Sequence, residues 1–163
     1  MATDIVTLTA SDGCTVRFIN EVKAQGGVKD VMFSPDGGYV VAFFRDKAEP
    51  AARERLLEIT GRYREKIFNQ EGGEYLKKLY CWPTSVVEHD GRLGVVVPFY
   101  RDCFFFEHGS RNDDMLGIRR KEKVGKWFAT PTHRAKFLDP RELGDWMRHL
   151  KVCVMLARAV RRM

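Results

Sequence analysis

A chain of 163 residues with 44% hydrophobic and 31% charged side chains has the make-up of one folded globular domain with a buried core. No apolar run approaches the ~20 residues of a membrane span, and MATDIVTLTASDG lacks the basic region and apolar core of a signal peptide, so a cytoplasmic location is expected. The net charge of +6 permits phosphate-bearing partners without specifying one, and four separated cysteines with no CxxC predict reduced thiols rather than a metal or disulfide framework.

Ile5 to Ala10 alternates as a short strand and Ser11-Asp12-Gly13 turns it. Cys14 to Val22 reads as a second strand with Val16, Phe18 and Val22 on one face. A glycine loop follows in AQGGVKDVMFSPDGGYVVAFFR, Ala24 to Arg45. Val28, Val31 and Phe33 are strand formers, Ser34-Pro35-Asp36-Gly37-Gly38 is turn chemistry, and Tyr39 to Phe44 is an unbroken apolar run. The glycine pair suits a plain antiparallel hairpin, and it equally suits a turn that lets a nucleotide approach the backbone. Every connection so far is too short for a helical crossover, so an antiparallel meander is predicted.

Pro50 suits a helix entrance, and Leu56, Leu57, Ile59, Tyr63 and Ile67 keep helical spacing over Ala51 to Gln70. Gly61 weakens that helix, and its charged side is read as a solvated face. Glu74 to Tyr80 is a short helix, Ser85 to Glu88 a strand, His89-Asp90-Gly91 a hairpin turn, and LGVVVPF a strong strand that leaves the sheet at Pro98. Phe104-Phe105-Phe106 is expected under the sheet edge. Arg119-Arg120-Lys121-Glu122-Lys123 with Lys126 reads as a solvated basic face, and no aromatic residues interleave with it as a nucleic-acid platform requires. Asp139-Pro140 opens a helix whose apolar positions run from Leu143 through Trp146, Met147, Leu150, Val154 and Ala157 to Val160, with Cys153 on its core face. The expected class is α+β: a five- to six-stranded antiparallel sheet with a packed helix over residues 1–100, and a helical segment over 101–163.

This order of elements resembles the N-terminal lobe of a protein kinase followed by the first large helix of its second lobe. Gln25-Gly26-Gly27-Val28-Lys29-Asp30-Val31 looks like the nucleotide-covering loop, YVVAFFRD like the third strand, and Leu93 to Tyr100 like the fifth strand and hinge. More narrowly, GGVKDVMFSPDGGYVVAFFRD with IFNQEGGEYLKKLYCWPTSVVEHDGRLGVVVP resembles a bacterial serine/threonine kinase-like family. Its members are found beside tellurite-resistance-type von Willebrand and PP2C phosphatase proteins. The likeness covers roughly Val16 to Met163.

The resemblance implies ATP, with magnesium accompanying the nucleotide, and partners among such signalling proteins. It implies a nucleotide under Gly26, Gly27, Val28 and Lys29, lined by Val31, Ala42, Val97 and Phe99. The third-strand lysine is missing: Ala42 fills its slot in one alignment and Phe44 in another. Lys29 is then the lysine able to reach the phosphates from the loop, as in some atypical kinases, with Glu71 or Glu74 as its ion-pair glutamate. The catalytic loop and the D-F-G metal motif have no counterpart in this sequence, so the resemblance implies a truncated kinase, without catalytic or metal-binding residues and without phosphotransfer of its own. Alternative readings are a pseudokinase-like protein-interaction module and a basic nucleic-acid-binding domain.

Overall fold

The computed structural model describes residues 4–46, 49–125, 127 and 130–162. Lys126, the last residue of the basic cluster, lies outside them. The chain is α+β and divides into two compact units, one running to Phe99 and including Arg162, the other from Tyr100 to Arg161.

In the first unit, β1 (Ile5–Thr9) and β2 (Thr15–Ile19) form a hairpin of their own. It turns at Gly13, with φ +82°, where Asp12 Oδ1 accepts the Cys14 N–H at 3.1 Å. The second strand was expected to reach Val22, but β2 ends at Ile19 and Val22 is exposed. Five further strands build a separate antiparallel sheet: β3 (Ala24–Gln25), β4 (Lys29–Phe33), β5 (Tyr39–Phe44), β6 (Ser85–His89) and β7 (Arg92–Pro98). Their order is β3-β4-β5-β7-β6. The predicted meander therefore holds for β3 to β5, while the two N-terminal strands stand apart from it.

Turn chemistry sets the two tight hairpins. Gly37 takes φ +70°, Ser34 Oγ accepts the Tyr39 N–H at 3.1 Å, and Asp36 Oδ1 accepts that of Gly38 at 3.1 Å. Asp90 and Gly91 both have positive φ, 51° and 70°, as a two-residue turn matched to strand twist requires.

Residues paired across a sheet share a face, and neighbours along a strand alternate. Met32, Val41 and Val96 lie in one row, with Phe43 and Val87 on the same face. The β1–β2 hairpin covers that face, and Ala10, Val16 and Phe18 pack into it. Phe18 and Phe43 meet edge to face, ring centroids 5.3 Å apart. Gly94 sits beneath the Phe43 ring, where a Cβ would be 2.7 Å from Cδ1. The other face carries Lys29, Val31, Phe33, Val40, Ala42, Phe44, Val95 and Val97. Val31, Phe33, Val40, Phe44 and Val97 are only half-buried there.

The connection from β5 to β6 is helical. The expected single helix over 51–70 is instead α1 (Pro50–Glu58), a wide π-type turn at Ile59–Tyr63, and α2 (Arg64–Phe68). The widening coincides with Thr60, whose Oγ1 bonds the Leu56 carbonyl, and Gly61. Trp82 Nε1 donates to the Ile59 carbonyl at 2.9 Å. Then α3 (Gly73–Leu79) follows, and Gly73 fits because a Cβ would fall 1.9 Å from the Phe68 oxygen. Ile67, Phe68 and Leu76 form a second small core with Tyr80 and Trp82, and α1 with the wide turn lies against β6.

The second unit corrects three expectations. Phe106, placed under the sheet edge from sequence, centres a separate core with Ile118 and Leu138, while Phe104 is 48% exposed. Asp139 caps as predicted, its Oδ1 accepting the Arg141 N–H at 2.9 Å, but only a 3-10 turn, Pro140–Glu142, follows. Gly144, at φ +58°, separates it from the C-terminal helix, Trp146–Arg162, which Asp145 caps through the Arg148 N–H at 2.7 Å. That helix has no buried residue, and Cys153 on it is exposed rather than in a core. Among the described residues, no helix is long and apolar enough to cross a membrane.

Candidate functional site

The residues singled out from the glycine loop, third strand and fifth strand converge on the half-open face of the five-stranded sheet. Val31 pairs with Ala42, and Ala42 with Val95, so the three form one row across β4, β5 and β7. Val97 lies two positions along β7, opposite Val40, on the same face. Phe99 follows β7, its N–H on the Gly38 carbonyl at 3.3 Å and its ring edge-on to Phe33 at 5.2 Å.

Lys29 opens β4 directly opposite Phe44. Its Nζ sits 4.3 Å from the centroid of the Phe44 ring. Burial against this apolar surface pulls the Lys29 pKa below its ordinary value. Ala42 and Phe44, the two alternative occupants of the missing lysine's slot, share this face, and Phe44 is the one Lys29 overlies. Among the described residues, no carboxylate forms an ion pair with Lys29. Glu74, in the first turn of α3, pairs with Lys77 at 2.5 Å and is exposed, as is Glu71 in the turn before it. The predicted lysine–glutamate pair is therefore not formed in this structure.

Gly26 and Gly27 make the turn from β3 to β4. The Gly26 N–H bonds the Lys29 carbonyl at 2.9 Å, and Val28 at the tip is 61% exposed. Neither glycine has a left-handed φ. A Cβ on Gly27 would meet nothing within 4 Å, and one on Gly26 would come no nearer than 3.9 Å to the Lys29 oxygen. Internal packing thus gives no reason for glycine at either position, in contrast to Gly73 and Gly94. The N–H groups of Gly27 and Val28 donate to none of the described residues.

Behind this turn is a charged cluster that sequence reasoning missed. Asp30 alternates with Lys29 and Val31, so its carboxylate lies on the opposite face. Oδ2 accepts from Arg92 Nη2 at 2.6 Å, and Oδ1 from Arg45 Nε at 3.0 Å and Gln25 Nε2 at 3.2 Å. The hydrogen bond from Arg92 leads the causes that hold the Asp30 pKa below the usual range. Arg92 Nε also donates to the Phe44 carbonyl at 3.1 Å, and Arg45 donates from its guanidinium to the Gly26 carbonyl and from its backbone to that of Val28. The available signal was Asp30 itself, a carboxylate on the Met32 side of a strand, where burial demands a partner.

The basic run in the second unit is partly engaged. Arg119 pairs with Asp113 at 2.9 Å, and Lys123 with Glu142 at 3.1 Å. Glu142 is 4% exposed in its side chain, so Lys123 has a structural partner. Among the described residues, no group of three or more His, Cys, Asp or Glu side chains could hold a metal ion. No family model, curated protein or solved structure matches the chain.

Proposed function

We propose that this chain is the nucleotide-binding lobe of a serine/threonine-kinase-like protein, with Lys29 supplying the phosphate contact that the third strand lacks. The observation that carries the reading is the position of Lys29. It stands on the same sheet face as Val31, Ala42 and Val97, next to Phe44 and beside a glycine turn whose Gly27 and Val28 N–H groups donate to none of the described residues. A nucleotide needs an apolar surface for its ring and cations or N–H donors for its phosphates, and one continuous face offers both.

The sheet order supports the same reading. A kinase-type site needs its glycine hairpin, third strand and hinge-bearing strand side by side, and β4, β5 and β7 are neighbours although a helical crossover separates β5 from β7 in sequence. Magnesium would accompany the nucleotide, and no residue of this chain is assigned to hold it. The role proposed for these residues is nucleotide binding.

The test is binding of a non-hydrolysable ATP analogue with and without magnesium. Lys29→Met should weaken binding at least tenfold, the loss that a charged hydrogen bond of about 1.5–3 kcal/mol implies. Lys23→Met, which removes an exposed partner of Glu21, should leave affinity unchanged. Absence of analogue binding by the wild-type chain, or equal affinity of wild type and Lys29→Met, overturns the proposal. A pseudokinase-like interaction module predicts the first of those results.

A further inference from the structure

The cluster of Asp30, Arg45 and Arg92 satisfies a buried carboxylate and also reaches the glycine turn. We infer that Arg45, held by Asp30, is a positioning residue that orients the Gly26–Gly27 peptide so that its N–H is presented to a phosphate group. The inference rests on the nucleotide-binding reading and goes beyond it by assigning the part of the chain that shapes the turn.

The argument begins with the peptide bond. In a trans peptide the carbonyl and the following N–H point in opposite directions. No cis peptide occurs among the described residues, so gripping the Gly26 carbonyl fixes where the Gly27 N–H points. Arg45 makes that grip with its guanidinium, and its backbone N–H takes the Val28 carbonyl at 3.1 Å. Both carbonyls are drawn back toward the end of β5.

The direction follows from strand alternation. Asp30 holds Arg45 Nε at 3.0 Å on the face opposite Lys29. The Gly26 carbonyl is pulled toward the Asp30 side, and the Gly27 N–H is turned toward the Lys29 side. The N–H groups of Gly27 and Val28, free among the described residues, thus remain available beside Lys29. Successive free amides next to a cation form an anion-binding concavity. Arg92 completes the device by tying Asp30 to the Phe44 carbonyl.

A guanidinium is required because one side chain must serve two acceptors in a fixed fork, which lysine cannot reproduce. The cluster also makes the turn a preorganised one, which lowers the ordering cost of binding.

The experiment compares a non-hydrolysable ATP analogue with adenosine on the full chain. Arg45→Met should weaken the analogue about tenfold and leave adenosine affinity unchanged, because adenosine lacks the groups that the turn meets. Asp30→Asn should follow in the same direction, and Arg45→Lys should restore part of the loss at most. Should Arg45→Met fail to fold, Arg45→Lys gives the same comparison. Equal weakening of analogue and adenosine would show a merely structural role and overturn the inference. So would wild-type affinity in both Arg45→Lys and Asp30→Asn while Lys29→Met still loses the analogue, a result that leaves the nucleotide reading standing. A wild-type chain that binds neither ligand removes the reading and the inference together.

Discussion

At Lys29 two requirements oppose each other. Its ammonium is partly removed from water and lies over Phe44, and burial holds its pKa below 10.5. At neutral pH the charged form is therefore disfavoured in the folded chain relative to the unfolded one. That penalty is relieved as pH rises from the folded pKa past 10.5, above which the lysine is neutral in both states. Lys29→Met should accordingly raise the thermal midpoint of the ligand-free chain at neutral pH, while it lowers affinity for the ATP analogue. The gain should shrink as pH approaches 10.5. A thermal midpoint below wild type across that range would show that the contact with Phe44 outweighs burial. Opposite signs for stability and binding mark a residue kept for a ligand rather than for the fold.

The same distinction separates the glycines of two elements. In β7, Gly94→Ala puts a Cβ 2.7 Å from the Phe43 ring and 3.1 Å from Val87 Cγ2, so a core of packed rings must shift. Overpacking of this kind costs about 1–3 kcal/mol, and urea unfolding should show it. In the β3–β4 turn, Gly27→Ala meets open space and keeps an ordinary φ, so stability should match or slightly exceed wild type. On the proposed nucleotide reading, binding of the ATP analogue should nevertheless fall, because the added methyl stands beside the amides proposed to meet the phosphates. Unchanged binding in Gly27→Ala would count against the turn as the phosphate site.

Elements were legible from sequence where local chemistry decides them. The Asp-Gly turns, β1 and the apolar runs of β5 and β7 appear within a residue or so of their expected bounds, whereas β2 stops three residues short of Val22. The helix over 51–70 was less legible, since Thr60 and Gly61 loosen it into a wide turn whose Ile59 carbonyl Trp82 then takes up. A partner 23 residues away leaves no local mark. The start of the C-terminal helix was misplaced for a similar reason: Asp139-Pro140 and Asp145 both cap, and Gly144 between them ends the first turn.

At the scale of the whole molecule, acid should act on the second unit through its bonded carboxylates. Within the second unit, burial opposes ionisation of Asp114. The N–H groups of Ser110, Arg119 and Ile118 and the Ser110 hydroxyl outweigh it and hold the pKa at about 2. Burial likewise opposes ionisation of Glu142, yet the His108 N–H at 2.6 Å and Lys123 keep its pKa below 4.5. Asp139, bonded by Arg141, is depressed as well. Folded pKa values below the unfolded ones mean stability present above about pH 4 and lost as pH falls toward 2. Fluorescence of Trp127, in the core of this unit, should report an acid transition in that window. Asp114→Asn should lower stability at neutral pH and flatten the pH dependence between 3.8 and about 2. An unchanged acid profile would show that the Asp114 bonds are no tighter than those it makes with water.

Sequence by itself determined the class, the hairpin turns and most of the strands, because alternation and turn preference act over a few residues. Asp30 shows what it left open, since a carboxylate on the covered side of a strand cannot stand alone. Only the tertiary structure decided who that partner is. Arg45 and Arg92 lie 15 and 62 residues from Asp30 in the chain. Pairing of β5 with β7 across the helical crossover brings all three to one end of the sheet. Tertiary structure also decided that Lys29 faces Phe44, that the β1–β2 hairpin covers one face, and that the other keeps its apolar residues half-open. Strand pairing between distant segments is set by which arrangement buries the most apolar surface and satisfies the most backbone groups, and no local pattern encodes that choice.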